Sequence, residues 1–344
     1  MNILIDIGHP AHVHLFKHFA WIMQKKGHHV FFTTREKEHE VYLLKKYGFN
    51  YKSFGKHYKS KKGKIWGLIK FNLQLLAFSL KYKPDIMISH GSIYAAQVSW
   101  LLRKPHISLE DTGNMEQIRL YKPFTKIILT STSFKRDLGR KQIYYDGYHE
   151  LAYLHPNLFK PDDSVLARLN IEKNQPYVIM RFISWEASHD MGHRGISKEN
   201  KIRALNEFLK YARVFISSEG RLPDELEPYR FKIGPEYMHD ALAFATLVYG
   251  ESATMASESA MLGVPSIFLD NTGRFYTGEL EDKYRLVFNF SESLEDQERS
   301  IQKAVEILKD ITIREEWQQR RRKMLEDKID VTNFMVWFVE HYSN

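Results

Sequence analysis

The 344-residue sequence contains no cysteine, no long apolar run and no recognisable RNA-binding motif. Without cysteine the chain forms no disulfide bond and offers no thiolate to a metal, which fits a reducing compartment. No stretch reaches the roughly 18 uninterrupted apolar residues of a membrane-spanning helix. The first six residues lack the basic start of a signal peptide, so we expect a cytoplasmic protein.

The remaining composition is that of a basic globular chain. A formal net charge of +8 and an isoelectric point near 9.2 favour an anionic partner, which could be nucleic acid, acidic lipid or a phosphorylated substrate. The length predicts two domains, and the 43% of hydrophobic residues can bury a core in each. Charge alone therefore does not choose the partner.

Short apolar strands alternate with helices along most of the chain, which predicts an α/β fold with parallel sheets covered on both faces. Strands are predicted at residues 2–7, 28–34, 50–54, 85–89, 106–109, 127–129, 142–145, 177–181, 214–217, 231–233, 247–249 and 266–269. We place an N-terminal Rossmann-like domain at 1–160 and a second Rossmann-like domain at 174–328. An apolar helix at 329–344 is expected to pack back on the first domain.

Residues 250–265 are the most informative stretch, because a strand runs there into a helix of small residues. Ser252, Ala253, Thr254 and Met255 would let a ligand approach the free N–H groups at the helix start, which favour phosphate. Glu258 follows Thr254 by four residues and could accept hydrogen bonds from ribose hydroxyls. The alternative is an ordinary strand–helix–strand unit with no ligand.

Polar side chains follow several strands of the first domain. The loop Gly8 to His14 carries three histidines, of which we expect His12 to act as an acid/base or phosphate-binding group. A zinc site is not expected here, because the spacing matches no usual ligand pattern. His90 follows the fourth strand, and Glu110 and Asp111 follow the fifth, where Asp111 could instead cap the next helix.

Polar residues at strand ends recur in the second domain. Arg181 ends its first strand and is a plausible diphosphate partner, and Ser217 ends the next strand. A long loop at 182–197 holds His189, which is either a second acid/base or a residue that stabilises the loop.

A separate feature is the segment 56–80, where lysines precede a very apolar, aromatic helix. This pattern is typical of a helix that lies on a membrane surface, and equally of a core helix with a charged entry. It predicts either peripheral contact with the inner membrane face or none.

Two Rossmann-like halves and Ser257-Glu258 followed by Gly263-Val-Pro265 make the chain resemble the GT-B superfamily of UDP-sugar enzymes. The lipid-linked muramyl-peptide GlcNAc transferase has a similar motif, and the resemblance implies ribose binding by Glu258. The start at Ile5-Asp6, the run 147–154 and Thr254-Met255 are most similar to an uncharacterised archaeal and bacterial family. The resemblance implies two parallel sheets facing a central cleft, with the terminal helix crossing back.

Non-hydrolysing UDP-GlcNAc 2-epimerases are a second resemblance. Their catalytic glutamate matches Glu110. Their Thr-x-His-Arg loop resembles the loop that holds His189 or His193-Arg194. Their His-Gly-Asp matches His90-Gly91-Ser92. A catalytic aspartate is therefore serine here, which weakens the epimerase interpretation.

These observations favour a metal-independent glycosyltransferase that uses a UDP-sugar in cell-envelope or surface-polysaccharide synthesis. Asp111, Glu110 or His12 would take the proton of a carbohydrate or lipid-linked acceptor. Arg181, Ser252 and the helix start would hold the diphosphate, with no cofactor and no metal. The alternatives are a UDP-GlcNAc 2-epimerase-like isomerase and, third, a non-catalytic basic protein that binds membrane or nucleic acid, of which nucleic acid is not expected.

Overall fold

The computed structural model describes residues 1–56, 58, 60–183, 195–218 and 220–342. The chain divides into two compact units, the first formed by Met1–Leu158 and Ile329–Asn344 and the second by Phe159–Lys328. Both units contain a parallel sheet, which confirms the predicted α/β class. None of the described helices is both long and apolar enough to span a membrane.

The first unit alternates strands and helices from its start. Its elements up to the linker are β1 (Asn2–Ile7), α1 (Pro10–Lys25), β2 (His29–Glu36), α2 (Glu40–Lys46), β3 (Tyr51–Lys56), α3 (Lys61–Tyr82), β4 (Ile86–His90), α4 (Ile93–Leu101), β5 (His106–Glu110), α5 (Met115–Tyr121), β6 (Ile127–Ser131), β7 (Gln142–Tyr145) and α6 (Leu151–Leu154). All seven predicted strands are present, with limits that differ by a residue or two.

The seven strands lie in the order β3-β2-β1-β4-β5-β6-β7. Consecutive residues of β1, β4 and β5 are buried, so both faces of the sheet are covered. The strands β2 and β3 are added on one side of β1, and β4 is added on its other side, so the strand order reverses between β1 and β4. Ligands of such sheets bind outside the carboxyl ends of the strands at this reversal. The loops after β1 and β4 therefore lie where a site is expected.

The second unit contains five strands. Its elements are α7 (Ser164–Arg168), β8 (Tyr177–Phe182), α8 (Lys198–Phe208), β9 (Arg213–Ser218), α9 (Met238–Phe244), β10 (Leu247–Gly250), α10 (Ala253–Leu262), β11 (Ser266–Leu269), α11 (Phe275–Asp282), β12 (Val287–Phe290), α12 (Leu294–Lys309) and α13 (Ile313–Asp327). The strand order is β12-β11-β10-β8-β9, so the reversal falls where β8 pairs with β10. The stretch at 250–265 begins at this reversal.

One predicted strand of the second unit is wrong. Residues 231–233 form no strand, and the chain there makes only an isolated bridge from Ile216 to Arg230. The fifth strand is instead β12, which pairs with β11 at the far edge of the sheet. Residues 231–233 offer only two apolar side chains separated by Lys232 and do not complete a ladder, whereas Val287–Phe290 extends one that already exists.

The terminal helix α14 (Val331–Tyr342) belongs to the first unit and packs against α1 and α6. The hydroxyl of Thr332 donates to the carbonyl oxygen of Ala152 at 2.6 Å, and both residues are buried. Val331 lies so close to Gly147 that a Cβ atom on this glycine would meet it at 2.6 Å. The close approach explains why the turn after β7 carries a glycine.

Substitution of Gly250 tests the close packing of β10 against β8. The φ of Gly250 is +149°, and a Cβ atom there would lie 2.0 Å from the carbonyl oxygen of Arg181. We expect Gly250→Ala to lower the free energy of unfolding by about 3 kcal/mol or more, because backbone atoms of β8 must move. Gly278→Ala is the matched control, since nothing lies within 4 Å of its Cβ position in α11. Equal urea-unfolding midpoints for the two variants would contradict this account.

Candidate functional site

Three ionisable side chains meet at the strand ends of the first unit. Nε2 of His90 lies 2.9 Å from Oδ1 of Asp111, and Nδ1 of His149 lies 3.0 Å from Oδ2. His90 ends β4, Asp111 follows β5, and His149 lies in the turn after β7. The side chain of Asp111 is 21% exposed, against 10% for His90 and 6% for His149. Asp111 is therefore the member of this group most open to a substrate.

The charges of this group favour one protonation pattern. Burial would raise the pKa of Asp111, but the charges of His149 and His90 hold it well below its usual value. Burial would lower the pKa of His90, but the charge of Asp111 and its hydrogen bond raise the pKa to about 8. Near neutral pH the group thus holds a carboxylate beside an imidazolium.

His12 adds a third histidine to the same edge of the sheet. Its ring centroid lies 4.6 Å from that of His90. Desolvation of the ring, and next the charge of His90, lower the pKa of His12 well below its usual value, so the ring is neutral. Nδ1 accepts the N–H of Gly8 at 3.3 Å, which places the proton on Nε2. In this state His12 is a hydrogen-bond donor rather than a base.

A buried ion pair holds the loops that carry these histidines. Nη1 of Arg35 lies 2.7 Å from Oδ1 of Asp6, and Nη2 donates to the carbonyl oxygen of Ile7. The hydroxyl of Ser92 donates to Asp6 and accepts the N–H of Ala95 at the start of α4. Asp6 thereby joins the end of β1 to the start of α4. Ser92 takes part in this support.

Glu110 lies beside Asp111 but has different surroundings. Oε1 accepts hydrogen bonds from the backbone N–H and the hydroxyl of Thr112 and from the N–H of Gly113. Oε2 accepts the hydroxyl of Tyr121 at 2.7 Å. The residue is 1% exposed. The structure therefore brings Gly8, His12, His90 and Asp111 to one edge, while the carboxylate of Glu110 is engaged in holding the loop after β5.

His149 is a residue that the sequence analysis did not single out. It stacks on Tyr145 with centroids 6.2 Å apart, and Nδ1 is held by Asp111. Among the described residues its buried Nε2 has no hydrogen-bond partner. The available signal was its place just after β7, the same strand-end rule that selected His90 and Asp111.

Among the described residues, His90, Asp111 and His149 also form a group whose side chains could hold a metal ion. Their ligand atoms all lie within 4.8 Å of one another, and two imidazoles with a carboxylate suit a first-row metal. Each oxygen of Asp111 already faces one imidazole nitrogen, however, so a metal would have to displace both hydrogen bonds. Metal independence stays a prediction, and chelation tests it below.

The second unit places two predicted residues, Arg181 and Ser217, in a row with Gly250 across neighbouring strands. Arg181 pairs with Gly250 on one side and with Ser217 on the other. Nη1 of Arg181 donates to the hydroxyl of Ser217 at 2.9 Å, and the carbonyl oxygen of Arg181 accepts the N–H of Glu251. The guanidinium is thus held on the β9 side, while the backbone of Arg181 pairs with the last residue of β10, shortly before α10.

The predicted residues Ser252 to Met255 form the cap and first turn of α10. Ser252 caps the helix, and its hydroxyl accepts the N–H of Met255 at 3.3 Å. Ser252, Ala253 and Thr254 are half-buried and Met255 is buried. Glu258, one turn later, is buried and lies 2.9 Å from Nε2 of His239 on α9. His239 therefore orients the carboxylate that the sequence analysis assigned to ribose.

Glu251 joins this helix start to the chain on either side of residues 184–194. Its oxygens accept the N–H groups of Ile183 and Ile196 at 2.9 and 2.6 Å, and Lys201 lies 3.3 Å away. Burial raises the pKa of Glu251, while Lys201 opposes this effect. The predicted residue His189 lies outside the described residues.

Comparisons with known proteins complete the description. Residues 1–342 match a family model described as "Protein of unknown function (DUF354)". The chain belongs to the DUF354 family. A comparison with curated protein sequences finds no significant match.

Solved structures show which fold this DUF354 protein has. UDP-GlcNAc 2-epimerase from Neisseria meningitidis, bound to UDP-GlcNAc, is similar with a TM-score of 0.73 and 12% identity, over 99% of this chain and 100% of that one. The MnaA–UDP co-structure from S. aureus gives 0.70 and 11%, over 99% and 96%. The glycosyltransferase SsfS6 from Streptomyces sp. SF2575 gives 0.61 and 12%, over 99% of each chain. The chain therefore has the GT-B fold that these epimerase and glycosyltransferase structures share.

The stability of the protein should report the ion pair of His90. A folded-state pKa of about 8, above the unfolded value of 6.5, stabilises the fold fully below pH 6.5 and ceases to do so as the pH rises through 8. We expect unfolding free energy to fall by about 2 kcal/mol across this window, and His90→Gln to remove most of the fall. His29→Gln, at an exposed position on β2, should keep it. Urea unfolding from pH 6 to 9 measures this, and an unchanged slope in His90→Gln would refute the assignment.

Proposed function

We propose that this DUF354 protein is a glycosyltransferase that moves the sugar of a UDP-sugar to a hydroxyl acceptor in cell-envelope or surface-polysaccharide synthesis. The second unit would bind the UDP moiety through the start of α10, Arg181 and Glu258. The first unit would receive the proton of the acceptor at Asp111. The observation that carries the proposal is the Asp111 carboxylate, which is partly exposed and held by two histidines at the strand ends.

The competing reaction is 2-epimerisation, and the surroundings of Glu110 and Ser92 disfavour it. Elimination and re-addition of UDP need acid/base groups on both faces of the sugar. Glu110, which matches the catalytic glutamate of the epimerases, is buried and accepts four hydrogen bonds from its own loop and Tyr121. Ser92, which matches their catalytic aspartate, supports Asp6. Both positions serve structural contacts here, which favours transfer.

In the proposed transfer, the acceptor oxygen displaces UDP from the anomeric carbon in a single step. The acceptor oxygen bonds to the anomeric carbon, the bond from this carbon to the UDP oxygen breaks, and UDP leaves with the electron pair. The acceptor proton passes to Asp111. Because an imidazolium beside Asp111 opposes protonation, the carboxylate accepts a proton best when His90 is neutral. His12, with its proton on Nε2, would donate to an oxygen of the substrate.

Nucleotide binding tests the second unit. UDP and UDP-sugars should raise the melting temperature, because they bind only the folded state. We expect Glu258→Gln to weaken UDP binding about tenfold in calorimetry, since a charged hydrogen-bond acceptor is lost. Glu207→Gln, at an exposed ion pair on α8, is the control and should bind as the parent does. No stabilisation by any nucleotide would refute the proposal, and unchanged affinity in Glu258→Gln would refute the ribose role.

Turnover tests Asp111. With a UDP-sugar and an acceptor, Asp111→Asn should bind UDP normally and lose about a hundredfold or more in turnover, the usual weight of a catalytic base. The rate of the parent should rise from pH 6.5 and level off above 8 as His90 loses its proton.

Turnover should survive EDTA, whereas its loss and recovery with one metal would place an ion at His90, Asp111 and His149. UDP-GlcNAc that gains deuterium at C2 in D2O without an acceptor would instead establish the epimerase reaction.

A further inference from the structure

Helix α3 has one buried face and one exposed face of unusual composition. Phe71 and Leu75 on its inner side pack in a cluster with Leu4, Met87 and others from the sheet. On the outer side, spacings of three, four and seven place a second row of apolar residues along the helix. The exposed members, each more than half accessible to solvent, are Ile65, Trp66, Ile69, Leu73 and Leu80.

This outer row is a larger apolar surface than a soluble helix ordinarily presents. Most exposed apolar residues of a protein are scattered singly, whereas contiguous patches mark contact surfaces. Trp66, Ile69, Leu73 and Leu80 lie within about a quarter of the helix circumference at 100° per residue. Trp100 and Leu101 end α4, which packs against α3, and are also more than half exposed.

The charge around α3 has a single sign. Residues 41–84 contain eleven lysines and neither aspartate nor glutamate. Lys62 at the start of the helix, and Lys81 and Lys83 at its end, are exposed on the protein surface. The apolar row is therefore bordered by positive charge at both ends.

This charge distribution favours an anionic lipid surface over a second copy of the chain as the partner of α3. In an antiparallel pair of α3 helices from two copies, Lys62 of each copy would face the Lys81 end of the other. In a parallel pair like ends would meet, so either arrangement brings lysines together without acidic partners. An anionic lipid surface instead offers negative headgroups to the lysines and hydrocarbon to the apolar row.

We propose that the outer face of α3 binds anionic membranes, with the helix lying in the plane of the interface. Its 22 residues span about 33 Å along the surface. Trp66, Ile69 and Leu73 enter the boundary of headgroups and acyl chains, while Lys62 and Lys81 remain among the headgroups. This binding needs no nucleotide and no turnover, so it stands or falls independently of the reaction proposed above.

Co-sedimentation of the full chain with vesicles tests the proposal. The protein should bind vesicles of phosphatidylcholine with phosphatidylglycerol, bind pure phosphatidylcholine much less, and dissociate as salt is raised. Trp66→Ser with Leu73→Ser should weaken binding about tenfold or more. Lys62→Glu with Lys81→Glu should remove the preference for anionic lipid. The folded state of each variant is checked by its melting temperature, which exposed substitutions should leave nearly unchanged.

The matched control removes the same two residue types elsewhere. Trp337→Ser with Leu294→Ser changes an exposed tryptophan and an exposed leucine on α14 and α12. This variant should bind vesicles as the parent does. Equal binding by the control and by the Trp66 and Leu73 variant, or no binding to anionic vesicles, would overturn the proposal. A dimer in light scattering that Trp66→Ser with Leu73→Ser dissociates would also overturn it, because a second copy would then cover the face.

Discussion

The ion pairs of one carboxylate, Asp111, join the ends of three strands in the first sheet. His90 ends β4, Asp111 follows β5 and His149 follows β7, so the two imidazoles reach this carboxylate from opposite sides. A buried charge is tolerated only when it is paired, and Asp111 is paired twice. The same pairing that holds the loops together also leaves one carboxylate partly open to solvent and tunes its affinity for a proton.

The topology explains why these side chains lie where they do. In both sheets the strand order reverses at one pair of neighbouring parallel strands. This pair is β1 and β4 in the first unit and β8 and β10 in the second. In the first unit this reversal brings His12 close to His90. In the second it brings Arg181 next to the start of α10. In the proposed transfer, side chains of the first sheet would handle the proton and those of the second would bind the anion.

Much of this arrangement could be predicted from the sequence, and the exceptions have physical causes. Apolar runs predicted the strands of the first sheet, since burial on both faces leaves few polar residues in them. Strand β12 was missed because four residues that include Asn289 carry little signal. His149 was missed because its partner Asp111 is 38 positions away and two strands across, a contact set by strand order. Three of the four hydrogen bonds that engage Glu110 are local, and the fourth comes from Tyr121, eleven residues later, which becomes a neighbour only in the folded chain.

The central claim is that the strand reversal of the second unit holds the diphosphate of a UDP-sugar. A crystal structure of the protein with UDP tests this most directly. The account predicts that the phosphates lie at the N–H groups of Ala253 and Thr254, within reach of Arg181, with the ribose hydroxyls on Glu258. UDP bound elsewhere on the chain, or a ribose that does not contact Glu258, would contradict it.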